Sequence, residues 1–320
     1  MSETGISVIV PFYNECETLP TFCRTLDEYS KNLSFPVELV FVNDGSSDNS
    51  NQIIKDYRFT NIKSARLVDL SKNFGSHTAV RAGVRNSNYD ICTWVGADLQ
   101  EPLEILDIAF QKIASDEAEI VYFSKKTVKV SKLNRLFSLI YSNLMRNYVS
   151  DAWSSEGTAT IAFGKKVKDL LNANIESNSS VALQIMTMGF KYENVSLDYN
   201  ARFAGQSKWT LSKKIKLFID SFVSFSYVPI RLVSSIGVLI FLIGLVLAIL
   251  TIVNRFINPD VQSGYTTLAS ILALGFGITN ISLGIIAEYL WRTLDASRKR
   301  PVFIVSDVVE LKNETENKRE

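Results

Sequence analysis

The chain has 320 residues, with 34 lysines and arginines against 33 aspartates and glutamates. That near balance supplies no basic field for a phosphodiester backbone, which excludes nucleic acid as an expected partner. Three cysteines, Cys16, Cys23 and Cys92, fall in no metal or redox spacing, and their odd number argues against a disulfide framework, so the reduced, cytosolic side is their simplest home.

In chain order, Ile6 to Val10 and Val37 to Val42 read as strands, with a helical pattern from about Thr18 to Lys31 between them. That is a βαβ unit. Further strands are expected at Ala65 to Asp69, Asp90 to Val95 and Glu119 to Phe123, separated by helical patterns near Asn49 to Tyr57, Gly75 to Asn86 and Pro102 to Ala114. The alternation predicts an α/β fold with a largely parallel sheet and helices on both faces.

The run Thr93-Trp94-Val95-Gly96-Ala97-Asp98-Leu99-Gln100-Glu101-Pro102 is apolar and then stops abruptly. It reads as a buried strand delivering Asp98 and Gln100 to the carboxyl edge of the sheet, where open α/β folds bind ligands. Their oxygens suit a hard divalent cation that bridges phosphates. The plainer alternative is a strand end capped by Asp98 ahead of a helix starting near Pro102. Two more polar loops follow the first two strands, Pro11-Phe12-Tyr13-Asn14-Glu15 and Asn43-Asp44-Gly45-Ser46-Ser47-Asp48-Asn49-Ser50, and both are expected at that same edge. Asp44 suits a nucleobase or ribose, Tyr13 can stack or bond, and Gly45 permits close backbone approach. Standing alone, Asp-Gly-Ser is equally a turn or helix-cap sequence. His77, the single histidine, falls at a helix start without a metal partner and is given no catalytic role.

Two uncharged apolar stretches, Leu232 to Val253 and Tyr265 to Ala287, exceed the roughly 18 residues of a spanning helix. Lys213, Lys214, Lys216 and Arg231 precede the first and Arg292, Arg298, Lys299 and Arg300 follow the second, whereas the connection holds only Arg255 and Asp260. The positive-inside rule then places both termini in the cytoplasm. No charged and then apolar signal segment opens the chain. Gly237, Gly244, Gly275 and Gly277 are small enough for the anchoring helices to pack between subunits of a homo-oligomer.

Lys125, Lys126, Lys132 and Arg135 lead into an amphipathic stretch, Leu136 to Met145, suited to lying along lipid headgroups. These cations either meet a lipid phosphate or form a solvated face. Arg202 to Trp209 is a second basic loop, followed by another amphipathic stretch, Leu211 to Phe225.

The ordered set Val10-Pro11-Phe12-Tyr13-Asn14-Glu15, Val42-Asn43-Asp44-Gly45-Ser46-Ser47-Asp48, Lys72-Asn73-Phe74-Gly75, Ala97-Asp98-Leu99-Gln100-Glu101-Pro102, Arg202 to Trp209 and Ser224 to Arg231 resembles membrane-anchored family-two glycosyltransferases of the dolichol-phosphate mannose synthase and bactoprenol glucosyltransferase type. The resemblance implies a GT-A type domain at 1–210, an amphipathic juxtamembrane helix at 211–228, a two-helix transmembrane hairpin at 229–291 and a cytosolic tail at 292–320. It implies transfer of a sugar from a nucleoside-diphosphate sugar, UDP-linked for preference, to polyprenyl phosphate at the bacterial inner membrane, serving cell-envelope glycan modification. By the same resemblance Pro11, Tyr13, Glu15, Asp44, Ser46 and Lys72 hold the donor nucleotide, and Lys125, Lys126 and Arg135 meet the acceptor phosphate. Asp98 and Gln100 hold Mg2+ or Mn2+, and Asp98, Arg202 and Lys208 stabilise the leaving diphosphate.

Two positions depart from that pattern. Gly96 stands where relatives carry the first carboxylate of Asp-Ala-Asp-Leu-Gln, and Ala159 falls where they carry an Asp proposed as a base or acceptor-site residue. Glu156 is the nearby carboxylate, either a solvated loop glutamate or a group that orients the acceptor in its stead. The rival readings are a processive polysaccharide synthase, although Val181 to Phe190 lacks the expected Arg and Trp, and a non-catalytic membrane scaffold derived from a transferase.

Overall fold

A computed structural model of the chain describes residues 4–126, 158–176, 180–200, 264–298 and 300–312, with isolated positions at 142–146 and 235–257. Two compact units divide it, Met1–Leu217 with Pro301–Glu320, and Phe218–Arg300.

The first unit opens with β1 (Ile6–Phe12), α1 (Leu19–Ser30), β2 (Val37–Asn43), α2 (Ser50–Asp56), β3 (Ser64–Leu70), α3 (Ser76–Arg85), β4 (Ile91–Trp94) and α4 (Ile105–Ala114). It continues through β5 (Ile120–Lys125), β6 (Thr158–Phe163), α5 (Lys165–Ala173), α6 (Val181–Met186) and β7 (Tyr192–Leu197). A final strand, β8 (Val305–Glu310), follows the helix α7 (Tyr265–Ser297) of the second unit.

One eight-stranded sheet runs in the order β7-β5-β6-β4-β1-β2-β3-β8. The pairs β1 with β2, β1 with β4, β2 with β3 and β5 with β7 are parallel. The strand β6 runs antiparallel between β4 and β5, and β8 runs antiparallel along β3. The sheet is therefore mostly parallel, as the alternation of elements predicts, with two reversed strands that the sequence reading did not assign.

Alternation along β1 explains the two helical layers. Val8 and Val10 join the core containing Phe22 and Leu26 of α1 and Ile105 and Ala109 of α4. Ile9 points the other way, against α3, where the backbone of Gly83 comes so close that an added Cβ would sit 2.3 Å from the Ile9 side chain. Every residue of β2 is buried, which accounts for its unbroken apolar run. Phe22 meets Phe41 edge to face at 6.3 Å between ring centroids.

The expected early strands and helices form close to the anticipated bounds, with one shift. Helix α4 starts at Ile105 because Ile105 and Leu106 donate to the carbonyls of Pro102 and Leu103 in preceding turns. Its N-cap is Glu104, and no side chain caps it, so the capping alternative for Asp98 does not hold.

The strand β8 was read from sequence only as part of a tail. In the structure it lies along β3 from Arg66 opposite Glu310 to Leu70 opposite Val305, and covers what would otherwise be an open edge. Ser71 N–H donates to the Ile304 carbonyl at 3.0 Å, and Ser306 Oγ donates to the Asp69 carbonyl at 2.9 Å.

In the second unit α7 is 33 residues long, and Leu268, Phe276, Leu283, Leu290 and Trp291 are exposed along it. Among the described residues no helix is long and apolar enough to cross a membrane.

Candidate functional site

Because β4, β1 and β2 are adjacent and parallel, the segments following them emerge at one edge of the sheet. Hydrogen bonds join the first two of these loops. Asn14 sits in the left-handed region at φ 53, a conformation that Asn tolerates, and its N–H donates to Ser46 Oγ at 3.0 Å. In return its side-chain oxygen accepts from Ser47 N–H at 2.8 Å. Glu15 N–H donates to Ser50 Oγ at 2.8 Å, and Asn43 Oδ1 accepts from Ser46 N–H at 2.9 Å. Tyr13 stands 37% exposed at the rim, where its ring can meet a ligand.

Asp44 is only 4% exposed. Its two oxygens accept from the N–H groups of Phe74 at 2.7 Å and Gly75 at 3.0 Å, which fastens the Lys72 to Gly75 loop to the loop after β2. Burial raises its carboxyl above the usual range, and those two N–H bonds pull the other way. Gly45 next to it has φ 71, and a Cβ there would lie 2.6 Å from the Asn73 nitrogen, so only glycine fits. The Lys72 ammonium lies over the Phe74 ring at 5.1 Å. Pro11 is within β1, opposite Val42.

The third segment leaves β4 after Trp94, and Val95 N–H still donates to the Ile9 carbonyl at 3.0 Å. Asp98 therefore lies in the loop beyond the strand, not on it. Its Oδ1 accepts from Gln100 N–H at 3.4 Å, around a Leu99 held at φ 54. Glu101 Oε2 accepts from Gly96 N–H at 3.2 Å. Enclosure, followed by the nearby Asp98 charge, raises the Glu101 carboxyl above its ordinary value. Asn200 N–H donates to the Gln100 carbonyl at 2.9 Å, fixing the segment after β7 against this loop.

Lys125 ends β5 with its ammonium 4.9 Å from the centre of the Tyr199 ring. Lys126 pairs with Asp198 at 3.6 Å, with 54% of its side chain exposed. Arg135, Arg202 and Lys208 lie outside the described residues, as do Glu156 and the side chain of Ala159. Among the described residues no group of three histidine, cysteine or acidic side chains converges on one point. His77 falls at the start of α3, as expected, and burial followed by the Arg81 charge pushes it down to about 4, so its ring is neutral near pH 7.

Sequence reasoning overlooked several residues here. Asn14 and Asn43 knit the loops, Tyr199 and Asn200 approach from β7, and Glu101 turns back toward Gly96. Asn14, Asn43 and Glu101 stood inside the polar segments that follow strands without being given a role, whereas Tyr199 and Asn200 left no local signal.

Loops stitched together at the carboxyl edge of a mostly parallel sheet, with oxygen donors on the neighbouring segment, define an α/β scaffold of GT-A type with a ligand-binding edge. Residues 7–166 match the model for glycosyl transferase family 2, so the chain belongs to that family and is a glycosyltransferase. It is 26% identical, over 98% of its length and 97% of the relative's, to undecaprenyl-phosphate 4-deoxy-4-formamido-L-arabinose transferase of Proteus mirabilis. The putative glycosyltransferase CsbB of Bacillus subtilis is 29% identical over 96% of this chain and 93% of its own. Among solved structures, the mannosyltransferase PcManGT of Pyrobaculum calidifontis in complex with GDP-Man and Mn2+ is 15% identical, covering 90% of this chain and 88% of that one at a TM-score of 0.48.

Proposed function

We propose that this glycosyltransferase moves a sugar from a nucleoside-diphosphate sugar, UDP-linked for preference, onto polyprenyl phosphate at the cytoplasmic face of a bacterial inner membrane. The observation that carries the reading is the apposition, at one sheet edge, of the Tyr13 to Glu15, Asp44 to Ser46 and Asp98 to Gln100 segments. It gains support from the named undecaprenyl-phosphate transferases, which align with nearly the whole chain and not only with its first half.

Membrane attachment rests on two features. The apolar stretches 232–253 and 265–287 are uncharged, and described apolar side chains along α7 are exposed to the surroundings. Strand β8 pairs within the same sheet as β1, so the chain must leave and rejoin that domain on one side of any bilayer. An even number of crossings satisfies this, and two is the number of apolar stretches. The basic flanks then put the catalytic domain in the cytoplasm.

In the proposed reaction an acceptor phosphate oxygen attacks the anomeric carbon in line, the bond to the donor diphosphate breaks, and the configuration inverts. A phosphate monoester with a second pKa of about 6 is largely ionised at neutral pH, so its oxygen is nucleophilic without a strong base. That chemistry accommodates Ala159. Pro11, Tyr13, Glu15, Asp44, Ser46 and Lys72 are assigned to the donor nucleotide, and Lys125, Lys126 and Arg135 to the acceptor phosphate. Asp98, Arg202 and Lys208 are assigned to the charge that accumulates on the departing nucleoside diphosphate.

Mg2+ or Mn2+ suits the donor set at Asp98 and Gln100, because both side chains offer oxygen. Such a cation, when bound, supplies Lewis-acid neutralisation of diphosphate charge.

The test is transfer by the full chain in detergent, supplied with candidate sugar nucleotides, undecaprenyl phosphate and Mg2+ or Mn2+, with lipid-linked sugar as the readout. Asp98→Ala is expected to lower transfer at least about a hundredfold, the scale of a lost electrostatic contact to the transition state. Full activity in that variant would remove the cation assignment. Nucleotide binding without transfer to any polyprenyl phosphate would favour the scaffold reading, and growth of a polymer would favour a processive synthase.

A further inference from the structure

Gly96 has lost the side chain that could have placed a carboxylate beside Asp98, and the structure shows what occupies that space. A Cβ built on Gly96 would lie 2.9 Å from Asp98 Oδ1 and 3.4 Å from Glu101 Oε2. Both carboxylates thus converge on the volume in which a side chain at 96 would begin. Glu101 is held there by the Gly96 N–H itself, at 3.2 Å.

The surroundings of Glu101 carry a second sign of an absent ligand. Thr160 on β6 is 0% exposed, and its hydroxyl has no hydrogen-bond partner. The buried hydroxyl of Tyr199 faces that of Thr160, has no other partner and feels the Glu101 charge. Buried hydroxyls are nearly always paired, and these two have at most each other, with Tyr199 near the Glu101 charge, which marks a polar space with room for a bound group and its waters. Asp98 and Glu101 repel one another in this partly enclosed space, the Lys125 charge offsets this only in part, and a divalent cation reverses the sign of the interaction.

We propose that Glu101 supplies the carboxylate that Gly96 cannot, so that Asp98 and Glu101 together form the oxygen site for the divalent cation accompanying the donor diphosphate. This rests on the transferase reading above and adds a residue to it. Gly96 and Glu101 then form a matched pair, since the glycine leaves the space that the longer glutamate enters from five residues further on. Tyr199, the hydroxyl that feels the Glu101 charge, is the group to meet cation-bound water, which a small hard cation such as Mg2+ tends to retain.

The test is Mn2+ binding to the full chain in detergent, followed by the electron paramagnetic resonance signal of free Mn2+ with UDP or GDP present. The parent is expected to bind one Mn2+ per chain in the presence of its nucleotide. Glu101→Gln keeps an acceptor for the Gly96 N–H but removes the charge, and is expected to weaken Mn2+ at least about tenfold. Glu101→Asp draws the charge back by one methylene and is expected to lose several-fold. Nucleotide binding in EDTA and the melting temperature serve as the folding control. Adding Gly96→Asp to Glu101→Gln is expected to bring Mn2+ affinity back to within a few-fold of the parent. Parent-like Mn2+ affinity in folded Glu101→Gln and Glu101→Asp chains would overturn the role given to Glu101 while leaving the transferase reading in place. A parent that bound no Mn2+ with either nucleotide would instead remove the cation from the proposed reaction, and this inference with it.

Discussion

The two halves of the catalytic sheet are built on different terms. On the β1, β2, β3 and β4 side the strands are parallel, and neighbouring loops share hydrogen bonds through Asn14, Asn43, Asp44 and Ser46. On the β5, β6 and β7 side one strand is reversed, and the lysines at the end of β5 engage through a ring face or a solvent-exposed ion pair. The difference teaches that the side proposed for the nucleotide is organised before any ligand arrives, whereas the side proposed for the acceptor holds cations that a ligand can take over without disturbing the core. Substitutions on the first side should cost stability and binding together, and substitutions on the second should cost acceptor recognition alone.

The sharpest way to break that contrast is Asp44→Ala. Two buried N–H groups, of Phe74 and Gly75, would lose their charged acceptor, and a loss of about 2–4 kcal/mol in stability is expected together with weaker nucleotide binding. Urea denaturation and calorimetric titration with UDP would read both. A variant that lost nucleotide affinity at unchanged stability would show that Asp44 serves the ligand and not the loop.

On the side proposed for the acceptor, Lys125→Ala with Lys126→Ala is expected to raise the KM for polyprenyl phosphate roughly tenfold, about 1.4 kcal/mol, at unchanged melting temperature. An unchanged KM with a lowered melting temperature would assign these lysines to the fold.

A smaller effect follows from His77. Its folded value of about 4 lies below its ordinary 6.5, so the unfolded chain binds the extra proton between those limits. Stability contributed by the neutral ring is fully present above pH 6.5 and declines as pH falls toward 4, at up to about 1.4 kcal/mol per pH unit. Denaturation midpoints from pH 7.5 to 4.5 should show that decline in the parent and a flatter profile in His77→Gln. The smallest effect concerns thiols. Cys23 and Cys92 are fully buried, with burial raising them to about 12 and about 11, so in the native chain they should resist a thiol reagent at pH 8 that labels the partly accessible Cys16.

The legibility of the sequence divided along the same line. Parallel strands buried on both faces must be apolar throughout, and β1 and β2 announce themselves as such. Strand β7, at a sheet edge, alternates exposure instead, and β8 is largely exposed, so neither carries an unbroken apolar run. Within the site, Tyr13, Asp44 and Asp98 stood out because polar residues directly following apolar runs mark strand ends. Tyr199 and Thr160 did not, because they come together only through pairing between strands distant in sequence.

By itself, the sequence determined the alternation of elements, the edge at which their loops gather and the two long uncharged stretches near its end, since each depends on local periodicity and solvation. Only the tertiary structure decided that residues 305–310 return to close the edge of β3, that Asp44 spends its oxygens on the loop beside it, and that Glu101 turns into the space left by Gly96. Those outcomes depend on which backbone groups and charges meet across long separations in the chain, and no periodicity along it encodes that.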